Sequence, residues 1–175
     1  ECLVGSEMCI RDRLDSAPIT YVKWDMNRHI TDIGSALLPA ERQEETSHRY
    51  MLGLYEVMER ITSRFPEILF ESCSSGGGRF DPGMLYYMPQ TWVSDNTDAI
   101  CRTKIQYGTS LAYPPITMGC HVSTVANHQV GRITPLETRG NVAMAGNFGY
   151  ELDLTKLTEE EKEIVKDLSL IHISE

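Results

Sequence analysis

Tyr21-Val22-Lys23-Trp24-Asp25-Met26-Asn27-Arg28 decides how this chain is read. From Ile19 to Trp24, apolar and β-branched residues form a short run of the kind found in a buried strand, and the run stops at an acid, an amide and a base. Side chains two apart share a face of a strand, so Lys23 and Asp25 project together from its carboxyl end. In α/β barrels that end carries the active site. An isolated K-x-D pair is equally what a structural ion pair at a strand terminus looks like, so its meaning depends on the rest of the chain.

The same step recurs downstream. After a loop over His29 to Pro39, a helix begins near Ala40, and Met51, Leu54, Tyr55, Met58, Ile61 and Phe65 recur at three- and four-residue intervals before Pro66. That stripe predicts a helix covering a sheet. Ile68 to Ser72 reads as the next strand, running into Cys73-Ser74-Ser75-Gly76-Gly77-Gly78-Arg79. Glycines let backbone approach a ligand closely or simply make a turn, and no phosphate-loop spacing accompanies them. Cys73 stands at the strand tip, without a base assigned to it that would make it a nucleophile. Thr91 to Ser94 reads as a third, very short strand ending in Asp95-Asn96-Thr97-Asp98. Asp98 is the expected N-cap of a helix from Ala99 to Leu111, which leaves Asp95 as the better catalytic candidate.

Pro114-Pro115 stops that helix. Ile116 to Met118 is expected to begin a fourth strand with Gly119 to Ser123 as its exit loop, followed by a helix over Thr134 to Val142 and a strand over Ala143 to Phe148. Thr158-Glu159-Glu160-Glu161 is a capping box opening a last helix. Strands alternating with helices predict an α/β fold with parallel strands. His121 and His128, seven apart with no accompanying carboxylate pattern, do not make a metal site.

Composition narrows the function classes. A formal net charge of −9 without a Lys/Arg cluster argues against nucleic acid and anionic lipid. With 41% hydrophobic and 23% charged residues, and no apolar run near the roughly 18 residues of a membrane span, no membrane partner is expected. A neutral or cationic small ligand fits better.

Both ends look foreign. Glu7-Met8-Cys9-Ile10-Arg11-Asp12-Arg13 can be encoded by GAG ATG TGT ATA AGA GAC AGG, and Leu168-Ser169-Leu170-Ile171-His172-Ile173-Ser174 by CTG TCT CTT ATA CAC ATC TCC. The shared part of these strings is mutually reverse-complementary, as in a translated transposon-type sequencing adapter. Residues 1–13 and 168–175 are therefore expected to be non-native, leaving 14–167 as the domain. Setting them aside leaves Cys73, Cys101 and Cys120, an odd set without C-x-x-C spacing. Reduced thiols and a cytoplasmic setting are the resulting expectations.

Taken together, Lys23 to Arg28, Cys73 to Arg79 and Trp92-Val93-Ser94-Asp95-Asn96-Thr97-Asp98 resemble the α-galactosidases of glycoside hydrolase family 36, over about Asp15 to Asp167. The resemblance implies a partial (β/α)8 TIM barrel, its C-terminal part, with about five of the eight strands. It implies a retaining hydrolase releasing terminal α-linked galactose from oligosaccharides of the raffinose and melibiose type by double displacement. Asp25 would be the nucleophile and Asp95 the acid/base, with Lys23, Asn27, Cys73, Gly76 and Trp92 at the substrate. Lys23 would keep Asp25 ionised. Neither a metal nor an organic cofactor is implied, and the full-length parent would be homo-oligomeric. Neighbouring readings are an α-galactosyltransferase, an α-N-acetylgalactosaminidase, or a non-catalytic sugar-binding fragment. Family members also carry earlier barrel strands and flanking β-domains, so this chain alone is expected to fold poorly and to be inactive.

Overall fold

The computed structural model describes residues 2–27 and 31–173. Arg28 and the first residues of the expected loop after it lie outside that description. The order is α1 (Cys2–Asp15), β1 (Tyr21–Asp25), α2 (Thr46–Arg64), β2 (Leu69–Cys73), α3 (Pro82–Tyr87), β3 (Gln90–Thr91), α4 (Ala99–Ser110), β4 (Gly119–Ser123), α5 (Leu136–Ala143), β5 (Asn147–Glu151) and α6 (Glu159–Ile173). The fold is α/β, as the alternation predicts. The chain divides into two compact units, one holding the residues up to Ser74 with Gly78–Pro89, the other Ser75–Gly77 with the residues from Gln90 onward.

In the first unit β1 and β2 pair in parallel, from Tyr21 opposite Leu69 to Asp25 opposite Cys73, with α2 between them in sequence. A parallel pair needs such a crossover, and the long amphipathic helix supplies it. Val22 and Trp24 pack toward a core built on Leu54, Met58 and Ile61 of α2, Phe70 of β2, and Met84 and Met88. Each fully buried side chain of this kind contributes about 1.5–3 kcal/mol. The opposite face therefore carries Tyr21, Lys23 and Asp25 beside Leu69, Glu71 and Cys73. A 3₁₀ turn over Ala40–Glu45 precedes α2, so the α-helix proper starts at Thr46, beyond the expected start near Ala40. The short α3 was not expected. Its signals were Asp81, whose carboxylate accepts from Met84 N at 2.9 Å, and Pro82 at the first helical position.

In the second unit β4 and β5 pair in parallel, from Gly119 opposite Asn147 to Ser123 opposite Glu151, and Thr91 bridges in parallel to Met118. Leu136 and Ala143 of α5 cover Val122 of β4. The fourth strand is Gly119–Ser123, not Ile116 to Met118: after Pro114, a 3₁₀ turn over Pro115–Thr117 takes up the apolar residues, and pairing starts only beyond it. The last strand likewise lies at Asn147–Glu151, because α5 and its cap occupy Ala143 and Met144, where it was expected to begin. The Thr158 capping box is present, with Glu161 N donating to Thr158 Oγ1 at 3.1 Å and Thr158 N to Glu161 Oε2 at 3.0 Å.

Helices α1 and α6 run across the boundaries expected at 13/14 and 167/168. Ile10 packs on the first core, Glu7 is buried and ion-paired to Arg11 and Arg60, and Leu168 is buried in the second unit. Among the described residues no helix is long and apolar enough to cross a membrane.

Candidate active site

The first unit gathers Lys23, Asp25, Asn27 and Cys73 at the carboxyl ends of β1 and β2. Asp25 is the last residue of β1 and is exposed, and its Oδ2 accepts a hydrogen bond from Asn27 Nδ2 at 2.8 Å. The backbone beneath it is tied down: Met26 N donates to Cys73 O at 3.0 Å, and Ser74 Oγ donates to Met26 O at 2.8 Å. A carboxylate with free access thus sits on a backbone clamped to the start of the glycine loop. Cys73, the register partner of Asp25, is itself only 3% exposed.

Sequence reasoning missed Glu71. It is 1% exposed on the middle of β2, receives a hydrogen bond from the Tyr21 hydroxyl, and pairs with Lys23 Nζ at 3.8 Å. A buried carboxylate is costly unless partnered, and the neighbouring strand presents both partners on the same face. Lys23 therefore answers a buried acid beside Asp25, a role the K-x-D spacing did not reveal. The available signal was an acid directly after the apolar run Ile68-Leu69-Phe70.

The second unit holds Gly76, Trp92 and Asp95. Gly76 has φ +83°, and a Cβ there would lie 2.7 Å from Ser94 Cα and 3.2 Å from Asp95 N. The glycine expected at the substrate is thus also required by the acid's own backbone, which Gly77 N reinforces by donating to Val93 O at 3.1 Å. Trp92 is 3% exposed, with the Arg102 guanidinium 4.4 Å from its ring centroid and the His121 ring at 4.8 Å. Its ring is packed against both neighbours.

Asp95 is exposed on a loop whose polar groups are internally satisfied. Asn96 N donates to Ser94 Oγ and Asp98 N to Asn96 Oδ1, each at 3.1 Å. Asp98 is the N-cap of α4, accepting from Cys101 N at 2.9 Å, and it pairs with Arg132. Ser123 Oγ donates to Thr97 O at 2.8 Å and Asn127 Nδ2 to Thr97 Oγ1 at 3.0 Å, joining the loop to the exit of β4. Among the described residues no group of three His, Cys, Asp or Glu side chains is arranged to hold a metal ion. Each unit therefore offers an accessible carboxylate on a braced backbone, Asp25 at the end of β1 and Asp95 in the loop after β3.

Comparison with known proteins finds relatives over most of this chain. The Melibiase family matches residues 6–172. Alpha-galactosidase AgaA of Geobacillus stearothermophilus is 76% identical over 157 residues, covering 90% of this chain and 22% of that protein. Alpha-galactosidase Mel36A of Lactobacillus acidophilus is 59% identical over 157 residues, covering 89% of this chain and 21% of that protein. A crystal structure of the GH36 alpha-galactosidase AgaA in complex with raffinose superposes with a TM-score of 0.94 at 69% identity, over 98% of this chain and 24% of the other. The chain spans about a fifth of the length of the curated relatives it matches. On this match over most of its length, the chain belongs to the Melibiase family.

Proposed function

We propose that this chain is the later-strand part of a (β/α)8 barrel from a retaining α-galactosidase that removes terminal α-linked galactose from raffinose- and melibiose-type oligosaccharides. The observation that carries this reading is the family match over residues 6–172, a span containing both Asp25 and Asp95. Asp25 attacks the anomeric carbon, and Asp95 protonates the departing glycosidic oxygen. Asp95 then deprotonates the water that hydrolyses the glycosyl ester. This chemistry needs carboxyl groups about 5 to 5.5 Å apart. The hydrogen bond from Asn27 orients the Asp25 carboxylate, and the raffinose complex of AgaA supports the choice of substrate class.

Parallel strands alternating with helices support the barrel. A barrel segment with open edges leaves strand hydrogen-bonding groups unpaired and the sugar site without its other wall. Activity therefore belongs to the complete barrel. Free thiols at Cys73, Cys101 and Cys120 support a reducing, cytoplasmic setting. The test is a pair of proteins: the 175-residue chain, and a full-length chimaera in which residues 14–167 replace the matching segment of AgaA. The chimaera is expected to hydrolyse nitrophenyl α-galactoside and to lose that activity on Asp25→Asn, while the chain alone shows none. An inactive, folded chimaera overturns the reading.

A further inference from the structure

We infer that Arg102 is a positioning residue for the acid/base, holding the backbone on both sides of Asp95 without touching its carboxylate. The inference rests on the reading of Asp95 as acid/base. Arg102 is the fourth residue of α4 and only 3% exposed. A buried guanidinium is expensive unless every face of it is answered; no acid is ion-paired to it among the described residues, although Glu151 and Asp95 act on it through space. It is answered by carbonyls. Nη2 donates to Ser94 O at 2.5 Å, Nε to Asn96 O at 2.7 Å and Nη1 to Gly119 O at 3.3 Å, with the Trp92 ring on one face.

The first two of these carbonyls flank Asp95 in the chain. A planar fork with fixed donor directions sets the spacing and orientation of both peptide groups at once, which a flexible ammonium does not do. The third carbonyl belongs to the first residue of β4, so the fork references the loop to the sheet. Gly76 meets the Ser94–Asp95 backbone, and Ser123 and Asn127 hold Thr97. Asp95 is thus exposed at its tip and immobilised at its base, the condition under which a carboxyl group can meet a leaving oxygen with little reorganisation.

The positioning role has a signature that a general packing role lacks. Protonation matters for an alkoxide leaving group and hardly at all for a dinitrophenolate. In the full-length chimaera, Arg102→Lys keeps the charge and loses the fork, while Arg102→Gln loses both. Each is expected to lower kcat/KM on raffinose by about 10²-fold, the order of loss for a catalytic group misplaced by about 1 Å. On dinitrophenyl α-galactoside the glycosylation step should change less than about threefold, with the pre-steady-state burst retained. An equal fall on both substrates, or no fall on raffinose, overturns the inference. An unsubstituted chimaera inactive on both sinks the proposed function instead. If Arg102→Gln does not fold, Arg102→Lys alone decides the matter, because it keeps the positive charge and removes the planar fork.

Discussion

Replacing Gly76 by alanine should injure catalysis through Asp95 rather than through a lost contact with sugar. Two costs are legible in the structure. At φ +83° an L-residue is strained by about 1–2 kcal/mol. The new Cβ would lie 2.7 Å from Ser94 Cα, where carbon pairs rest at about 3.5–4.0 Å, so one backbone must recede by about 1 Å. Such overpacking costs about 1–3 kcal/mol. The total is about 2–5 kcal/mol of stability. A shift of that size at Asp95 is expected to lower kcat about 10²-fold. The assay is nitrophenyl α-galactoside hydrolysis and the thermal midpoint of the chimaera carrying Gly76→Ala. Gly131→Ala is the control: its φ is +68°, but nothing lies within 4 Å of the added Cβ. It should show the φ cost in stability and an unchanged kcat. Wild-type kcat in Gly76→Ala, or an equal loss in Gly131→Ala, refutes the steric account.

Asp98→Ala should lower the thermal midpoint more than Asp98→Asn. The amide still caps α4 and loses only the partly exposed Arg132 pair, worth less than about 1 kcal/mol, whereas alanine also forfeits a cap worth about 1–2 kcal/mol. Equal losses would mean that the ion pair, not the cap, dominates. Burial pushes the Cys120 thiol from its ordinary 9.0 up to about 11, so the folded state disfavours the thiolate. Its contribution to stability is complete below pH 9 and disappears as pH rises through about 11. Cys120→Ala should flatten the stability profile across that window, and an unaltered profile contradicts the assignment. Cys120 should also resist alkylation at about pH 8 in the native protein and react on denaturation, as mass spectrometry of the labelled peptide would report.

Local signals read well in this chain wherever the physics is local. Asp98 caps α4 and Thr158 with Glu161 boxes α6, because each is a side chain reaching an amide three residues away. The stripe from Met51 to Phe65 lies against the core because helical periodicity alone sets which residues share a face. Signals failed where pairing decides. Gly119–Ser123 carries little strand propensity, and its place in the sheet depends on its partner β5, while the more apolar Ile116 is left exposed in a 3₁₀ turn.

The candidate site divides in the same way. Asp25 and Asp95 were legible because each acid directly succeeds a strand-like run, and the glycine loop between them was legible as a close-approach element. Their support was not. Glu71 meets Lys23 across two strands, and Arg102 reaches the carbonyls of Ser94, Asn96 and Gly119 from a helix whose sequence marks it as an ordinary arginine. The guanidinium of Arg102 over the Trp92 ring is a contact between residues ten apart that no local pattern announces. Sequence alone determined the α/β alternation and the family resemblance and singled out the two acids as candidates, since these rest on periodicity and on residues adjacent in the chain. Only the tertiary structure decided what holds each acid in place, because a buried charge takes its partners from whatever elements packing brings beside it, at sequence separations that no local pattern records.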